Sequence, residues 1–142
     1  MRILGIDYGD KRIGLSVCDE LGLTAQGLAT IVRKDMERDI EAIAEYIREY
    51  NIEKIVIGYP VMLDGTEGIQ CEKVNNFADI IGSRFSLSVI KWDESLSTKE
   101  AERILIEADM SRKKRKRVVD KLAAIIILQG YLDYLWRMKG AE

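Results

Sequence analysis

Ile3-Leu4-Gly5-Ile6-Asp7-Tyr8-Gly9-Asp10-Lys11-Arg12-Ile13-Gly14-Leu15-Ser16-Val17-Cys18 opens the chain with two apolar runs around a polar turn. Ile3 to Ile6 is short and continuous, the pattern of a strand buried on both faces. Asp7 ends it, Gly9 to Arg12 makes a turn, and Ile13 to Cys18 reads as a second strand. A further turn at Asp19 to Gly22 leads into a third strand over Leu23 to Val32. Turns this short make consecutive strands antiparallel neighbours.

Beyond Val32 the period changes. Ile40, Ile43, Ala44 and Ile47 recur at helical spacing and predict a helix from about Met36 to Tyr50, with Asp35 as its N-cap. Ile55-Val56-Ile57 is a buried strand, ending at Gly58-Tyr59-Pro60. Val74, Phe77, Ala78 and Ile81 mark a second helix, and Leu87 to Ile90 an alternating strand suited to a sheet edge. Thr98 can cap a third helix, expected to carry Ala101, Ile104, Leu105 and Ala108. The last helix is expected from about Val118 to Met138. Antiparallel strands first, then strands alternating with helices, give an α/β fold: a mixed sheet with helices on both faces. No repeat or linker divides the chain, and residues 1–142 are read as one domain.

The composition narrows the chemistry. There is no histidine, which removes Ser-His-Asp and Cys-His mechanisms, histidine-bound zinc and any imidazole base. Cys18 and Cys71 are far apart and form no CxxC pair, so two free thiols are expected. The chain opens without the pattern of a secretory leader and has no run of roughly 20 apolar residues to span a bilayer. These readings point to a cytoplasmic protein with no membrane contact. The net charge is only −2, yet Arg112-Lys113-Lys114-Arg115-Lys116-Arg117 is an unbroken basic run.

Three carboxylates fall where strands end or a helix begins, positions that converge on the crevice of an open α/β sheet. Asp7 closes the first apolar run; it is either a functional carboxylate or a cap for the Gly9 turn. Glu94 follows the last strand, as a site residue or as a solvated loop acid near a helix N-terminus. Asp120 shares a helical stripe with Ala123, Ala124, Ile127 and Tyr131, so it faces inward, or it simply complements the helix dipole. Together the three suit Mg²⁺ or Mn²⁺, which take oxygen ligands, and two-ion phosphodiester cleavage. The basic run just before Asp120 would grip phosphates; the alternative is a solvated, mobile loop. The loop from Gly58 to Gly68, with Asp64-Gly65-Thr66, is either a binding loop or a long connection.

Several of these segments resemble the YqgF/RuvX family, described as Holliday junction resolvases and pre-16S ribosomal RNA nucleases. They are Gly5-Ile6-Asp7-Tyr8-Gly9-Asp10-Lys11-Arg12-Ile13-Gly14, Gly58-Tyr59-Pro60 with Asp64-Gly65-Thr66, Asp93-Glu94-Ser95-Leu96-Ser97-Thr98, and Asp120 with Ala123-Ala124, Ile127-Leu128-Gln129 and Tyr131-Leu132. The resemblance implies a ribonuclease H-like fold, with a five-stranded mixed sheet in the order 3-2-1-4-5. It also implies metal-binding carboxylates at Asp7, Glu94 and Asp120. Tyr59 stands where the family usually has leucine, and Ser95 where it commonly has arginine.

The leading expectation is a nuclease acting on structured nucleic acid, either ribosomal RNA precursor or branched DNA. Asp7 would bridge two Mg²⁺ ions that Glu94 and Asp120 help to hold. Lys11, Arg12 and the basic run would grip phosphates, and Thr66 would orient the backbone. A non-catalytic nucleic-acid-binding module is the second reading, and an actin-like ATP-binding domain a third. A junction resolvase calls for a homodimer, whereas a monomer suffices otherwise. Tyr131, Tyr134, Leu135 and Trp136 could form such an interface, but packing inside is the favoured reading.

Overall fold

Alternation along the first strand sorts its side chains onto two faces. Leu4, Ile6 and Tyr8 enter one buried cluster, and Ile3 enters another. The computed structural model describes residues 2–61, 65, 67–93 and 112–140, with residues 112–118 and 120 described by their backbone only. In chain order these form β1 (Arg2–Tyr8), β2 (Arg12–Cys18), β3 (Ala25–Val32), α1 (Met36–Tyr50), β4 (Ile52–Tyr59), α2 (Ile69–Phe85), β5 (Ser88–Asp93) and α3 (Arg112–Gly140). The helix expected over 98–108 lies outside the described residues. No described helix is long and apolar enough to cross a membrane.

The strands form one five-stranded sheet in the order β3-β2-β1-β4-β5, as expected. β2 is antiparallel to both β1 and β3, while β4 runs parallel to β1 and to β5. All strands except β2 therefore end at the same edge. β1 and β4 lie side by side where the chain order reverses, which is where such sheets open a crevice.

One face packs on α1 and α2 through Ile40, Ile43, Val74, Phe77 and Ile81. The other packs on α3 through Ile127, Leu128, Tyr131 and Leu132. Asp35 caps α1, its carboxylate accepting from the Arg38 N–H at 2.9 Å. α3 lies close on the sheet because Gly5 leaves room for it. A Cβ there would collide with Ser16 Oγ and come within 2.9 Å of Leu128 Cβ. The Ser16 hydroxyl instead donates to the Ala124 carbonyl at 2.7 Å.

Several element boundaries differ from expectation; β1, for one, runs through Asp7 to Tyr8. α3 begins at Arg112, so the basic run is helical rather than a loop; Lys and Arg are good helix formers, and the run continues straight into the packed helix. β3 begins at Ala25, not Leu23, because the Asp19 carboxylate takes the Leu23 N–H at 2.7 Å and holds that stretch as a turn. β5 runs to Asp93, three residues past Ile90, paired along β4 as far as Tyr59. The C-terminal aromatics divide: Tyr131 is buried, whereas Tyr134 and Trp136 are exposed.

Candidate active site

Asp7 is the sixth residue of β1, next to last at the shared edge. Ile3 and Gly5, four and two positions earlier, face α3, so alternation turns Asp7 the same way. It pairs with Gly14 of β2 and stands one residue beyond the Ile6–Ile57 pair, so Gly58 is its neighbour on β4. Asp7 is only 7% exposed, a carboxylate drawn into the sheet at the switch between β1 and β4.

α3 runs antiparallel to β1. Tyr131 and Leu132 lie in the cluster that holds Ile3, and Ala124 and Leu128 meet Gly5. Two further residues of β1, about 6.8 Å, reach Asp7. One further turn of α3, about 5.4 Å, reaches the backbone of Asp120. Two strands across, β5 ends at Asp93, paired with Tyr59 of β4. Glu94 follows Asp93 in sequence and lies outside the described residues, as does Thr66 and as do the side chains of Asp120 and Arg112 to Arg117. Among the described residues no three Asp, Glu, Cys or His side chains gather to hold a metal ion.

The turn after Asp7 is built around Gly9. A Cβ at Gly9 would come within 2.7 Å of the Arg12 carbonyl, and the Gly9 N–H donates to that carbonyl at 2.9 Å. The turn presents Lys11, exposed, and Arg12, half-buried, at the same edge as Asp7. Its flanks are tied to α2: Gln70 donates to the Tyr8 carbonyl at 3.2 Å, and Lys73 pairs with Asp10 at 3.0 Å.

Tyr59 also lies at this edge. Its hydroxyl accepts from Asn75 Nδ2 at 3.1 Å. Partial burial pushes the phenol above its usual range and the Glu67 carboxylate adds to this, while the Asn75 bond acts the other way. A leucine at this position could make neither polar contact. Arg33, just past β3, also reaches the turn and donates to the Gly9 carbonyl at 3.2 Å. Nothing in the local pattern singles out Arg33, whose partners lie on separate segments.

The opposite edge is different in kind. There Ile3, Leu132, Leu135, Trp136, Lys54 and Lys139 help line an open cavity of about 370 Å³ with no carboxylate among its lining residues. It offers no hard oxygen ligand for a divalent ion.

A family profile described as RuvX, Holliday junction resolvase, matches residues 1–134. A protein from Syntrophus aciditrophicus named "Putative pre-16S rRNA nuclease" is 58% identical, the match spanning 98% of this chain and 93% of that one. One of the same name from Halothermothrix orenii is 53% identical over 99% of this chain and its own full length. Among solved structures, Fowlpox virus resolvase in complex with Holliday junction DNA superposes with a TM-score of 0.60 at 15% identity, covering 95% of this chain and 99% of that one. Thermus thermophilus RuvC in complex with a Holliday junction substrate gives 0.55 at 16% identity, covering 93% of each. At these identities the structural likeness carries the fold alone: a ribonuclease H-like sheet flanked by helices.

Proposed function

The chain belongs to the RuvX family, and on that premise we propose that it is a metal-dependent nuclease hydrolysing phosphodiester bonds of structured nucleic acid, acting at the 5′ end of the 16S ribosomal RNA precursor. One observation carries the reading: a buried carboxylate, Asp7, stands next to last on the central strand at the switch between β1 and β4. A carboxylate drawn in from solvent calls for a cation or hydrogen-bond donors, and its hard oxygens fit Mg²⁺ or Mn²⁺. The curated relatives favour the ribosomal RNA precursor as substrate.

Asp7, Glu94 and Asp120 would hold the ion. A divalent ion there supplies Lewis acidity towards the phosphate and lowers the pKa of a bound water. The chain's own residues do the rest. Lys11 and Arg12 draw the phosphate backbone to the edge, and the helical run from Arg112 to Arg117 extends the same attraction. Gly9 keeps the turn tight, so that these cations stay beside Asp7.

Branched DNA is the second substrate reading, favoured by the description of the matching family. A module that binds without cutting is the remaining reading. Labelled precursor RNA and four-way DNA junctions, incubated with Mg²⁺, Mn²⁺ or EDTA, separate the three. The expected outcome is metal-dependent cleavage of the RNA by the native protein, lost by at least about 100-fold in Asp7→Asn. Cleavage of the junction alone would select the resolvase reading. Binding of both substrates without cleavage of either would leave the non-catalytic module.

A further inference from the structure

We propose that Arg33 and Asp39 are a positioning pair that fixes the β1–β2 turn and thereby the direction of Asp7; this rests on the nuclease reading above. Asp39 lies in the first turn of α1 and is 1% exposed. A carboxylate buried that deeply needs partners on both oxygens. One accepts from Arg33 Nε at 3.1 Å and the other from the Lys34 backbone N–H at 3.1 Å.

Arg33 then uses the rest of its fork on the turn. Its Nη1 donates to the Gly9 carbonyl at 3.2 Å, and its guanidinium lies 4.5 Å from the centre of the Tyr8 ring. Its backbone N–H donates to the Lys11 carbonyl at 3.0 Å. One residue thus joins α1, the exit of β3, the end of β1 and the turn.

The grip on Tyr8 matters for Asp7. The Tyr8 ring stacks on Phe77 of α2 with centroids 4.2 Å apart, so it is held between Phe77 and Arg33. Successive side chains on a strand point to opposite faces. With Tyr8 held on one face, Asp7 is aimed at the other. Gly9, with no side chain, can be held only by its backbone, and Arg33 supplies that hold.

Arg33 is not itself a phosphate hook. Its side chain is 19% exposed and turned onto Asp39, whereas Lys11 is open to solvent. Lysine could reach Asp39 or the Gly9 carbonyl, but it lacks the planar fork that serves both while lying on a ring.

The test compares Arg33→Ala, Arg33→Lys and Asp39→Asn with the native chain in cleavage assays across a salt series, and in amide hydrogen exchange. The expected result is a fall in kcat of about 100-fold, the scale set by small misplacements of catalytic groups. KM should keep its native salt dependence, guanidinium should partly restore Arg33→Ala, and Arg33→Lys should remain impaired. Exchange at Gly9, whose N–H closes the turn, should speed up while Ile43 in α1 stays protected. Unchanged kcat would overturn the proposal. So would a reduced salt slope, which would mean that Arg33 touches phosphate, or acceleration of all amides together, which would mean lost stability alone. If the native chain cuts neither substrate, the nuclease reading fails. The exchange pattern still decides the pair: local acceleration at Gly9 supports it, and uniform acceleration overturns it.

Discussion

A hydrogen in place of a methyl group at Gly5 decides how close α3 comes to the sheet. Substitution by alanine drives a Cβ into Ser16 Oγ and against Leu128 and the Ala124 carbonyl. Overpacking of this kind costs about 1–3 kcal/mol. Gly5→Ala should therefore lower the urea midpoint with an unchanged m-value. Because the hydroxyl of Ser16 is the nearest obstacle, Ser16→Ala added to Gly5→Ala should cost less than the sum of the two; strict additivity would show that the helix backbone, not the hydroxyl, is the obstacle. At this scale the sequence was legible where a residue breaks a pattern. Asp7 stands out because a charge ends an apolar run, and Gly9 because the turn is short. Arg33 does not stand out. Its role depends on Gly9, 24 positions away, and on Asp39, one of several exposed-looking acids in the first turns of α1.

The elements follow the apolar period except where a side chain overrides it. The apolar pattern allows β3 to start at Leu23, but the Asp19 carboxylate takes the Leu23 N–H at 2.7 Å and the Thr24 N–H at 3.3 Å. The amide of Gln129 on α3 then receives the strand, donating to the Leu23 carbonyl at 3.0 Å and accepting from the Ala25 N–H at 2.9 Å. The Leu23 N–H bond, chiefly, lowers the Asp19 pKa below its ordinary 3.8. The sign follows directly. A carboxyl more acidic in the folded chain contributes stability above its unfolded pKa and loses it as pH falls through the folded one. Asp19→Asn should thus be less stable than the native chain at pH 7, with the gap closing below about pH 4. Thermal unfolding of both chains across that range tests this; a gap independent of pH would assign the effect to turn geometry and not to charge.

Across the whole molecule, the sheet order places two unlike ends on one body. The strand-end edge carries Asp7 and the cations of the β1–β2 turn, and the far edge carries an apolar cavity flanked by Lys54 and Lys139. The mixed sheet was legible because short turns force antiparallel pairs and helical crossovers force parallel ones, whereas the strand order came from the family resemblance. The sequence pattern singles out Glu94 and Asp120 by position alone, after a strand and on a helical stripe, and only the backbone of Asp120 is placed towards the end of β1 that carries Asp7. The bracing of the turn was not legible, since it joins α1, α2 and the exit of β3 through contacts remote in sequence. A net charge of −2 is equally silent about which end meets nucleic acid. Counterion release makes the difference measurable, because each phosphate contact on duplex DNA adds about 0.9 to the slope of log affinity against log salt. Lys11→Ala should lower that slope by about one contact, whereas Lys139→Ala, at the far edge, should leave it unchanged. The reverse result would move the nucleic acid to the cavity end, away from Asp7, and leave the buried carboxylate without a substrate to act on.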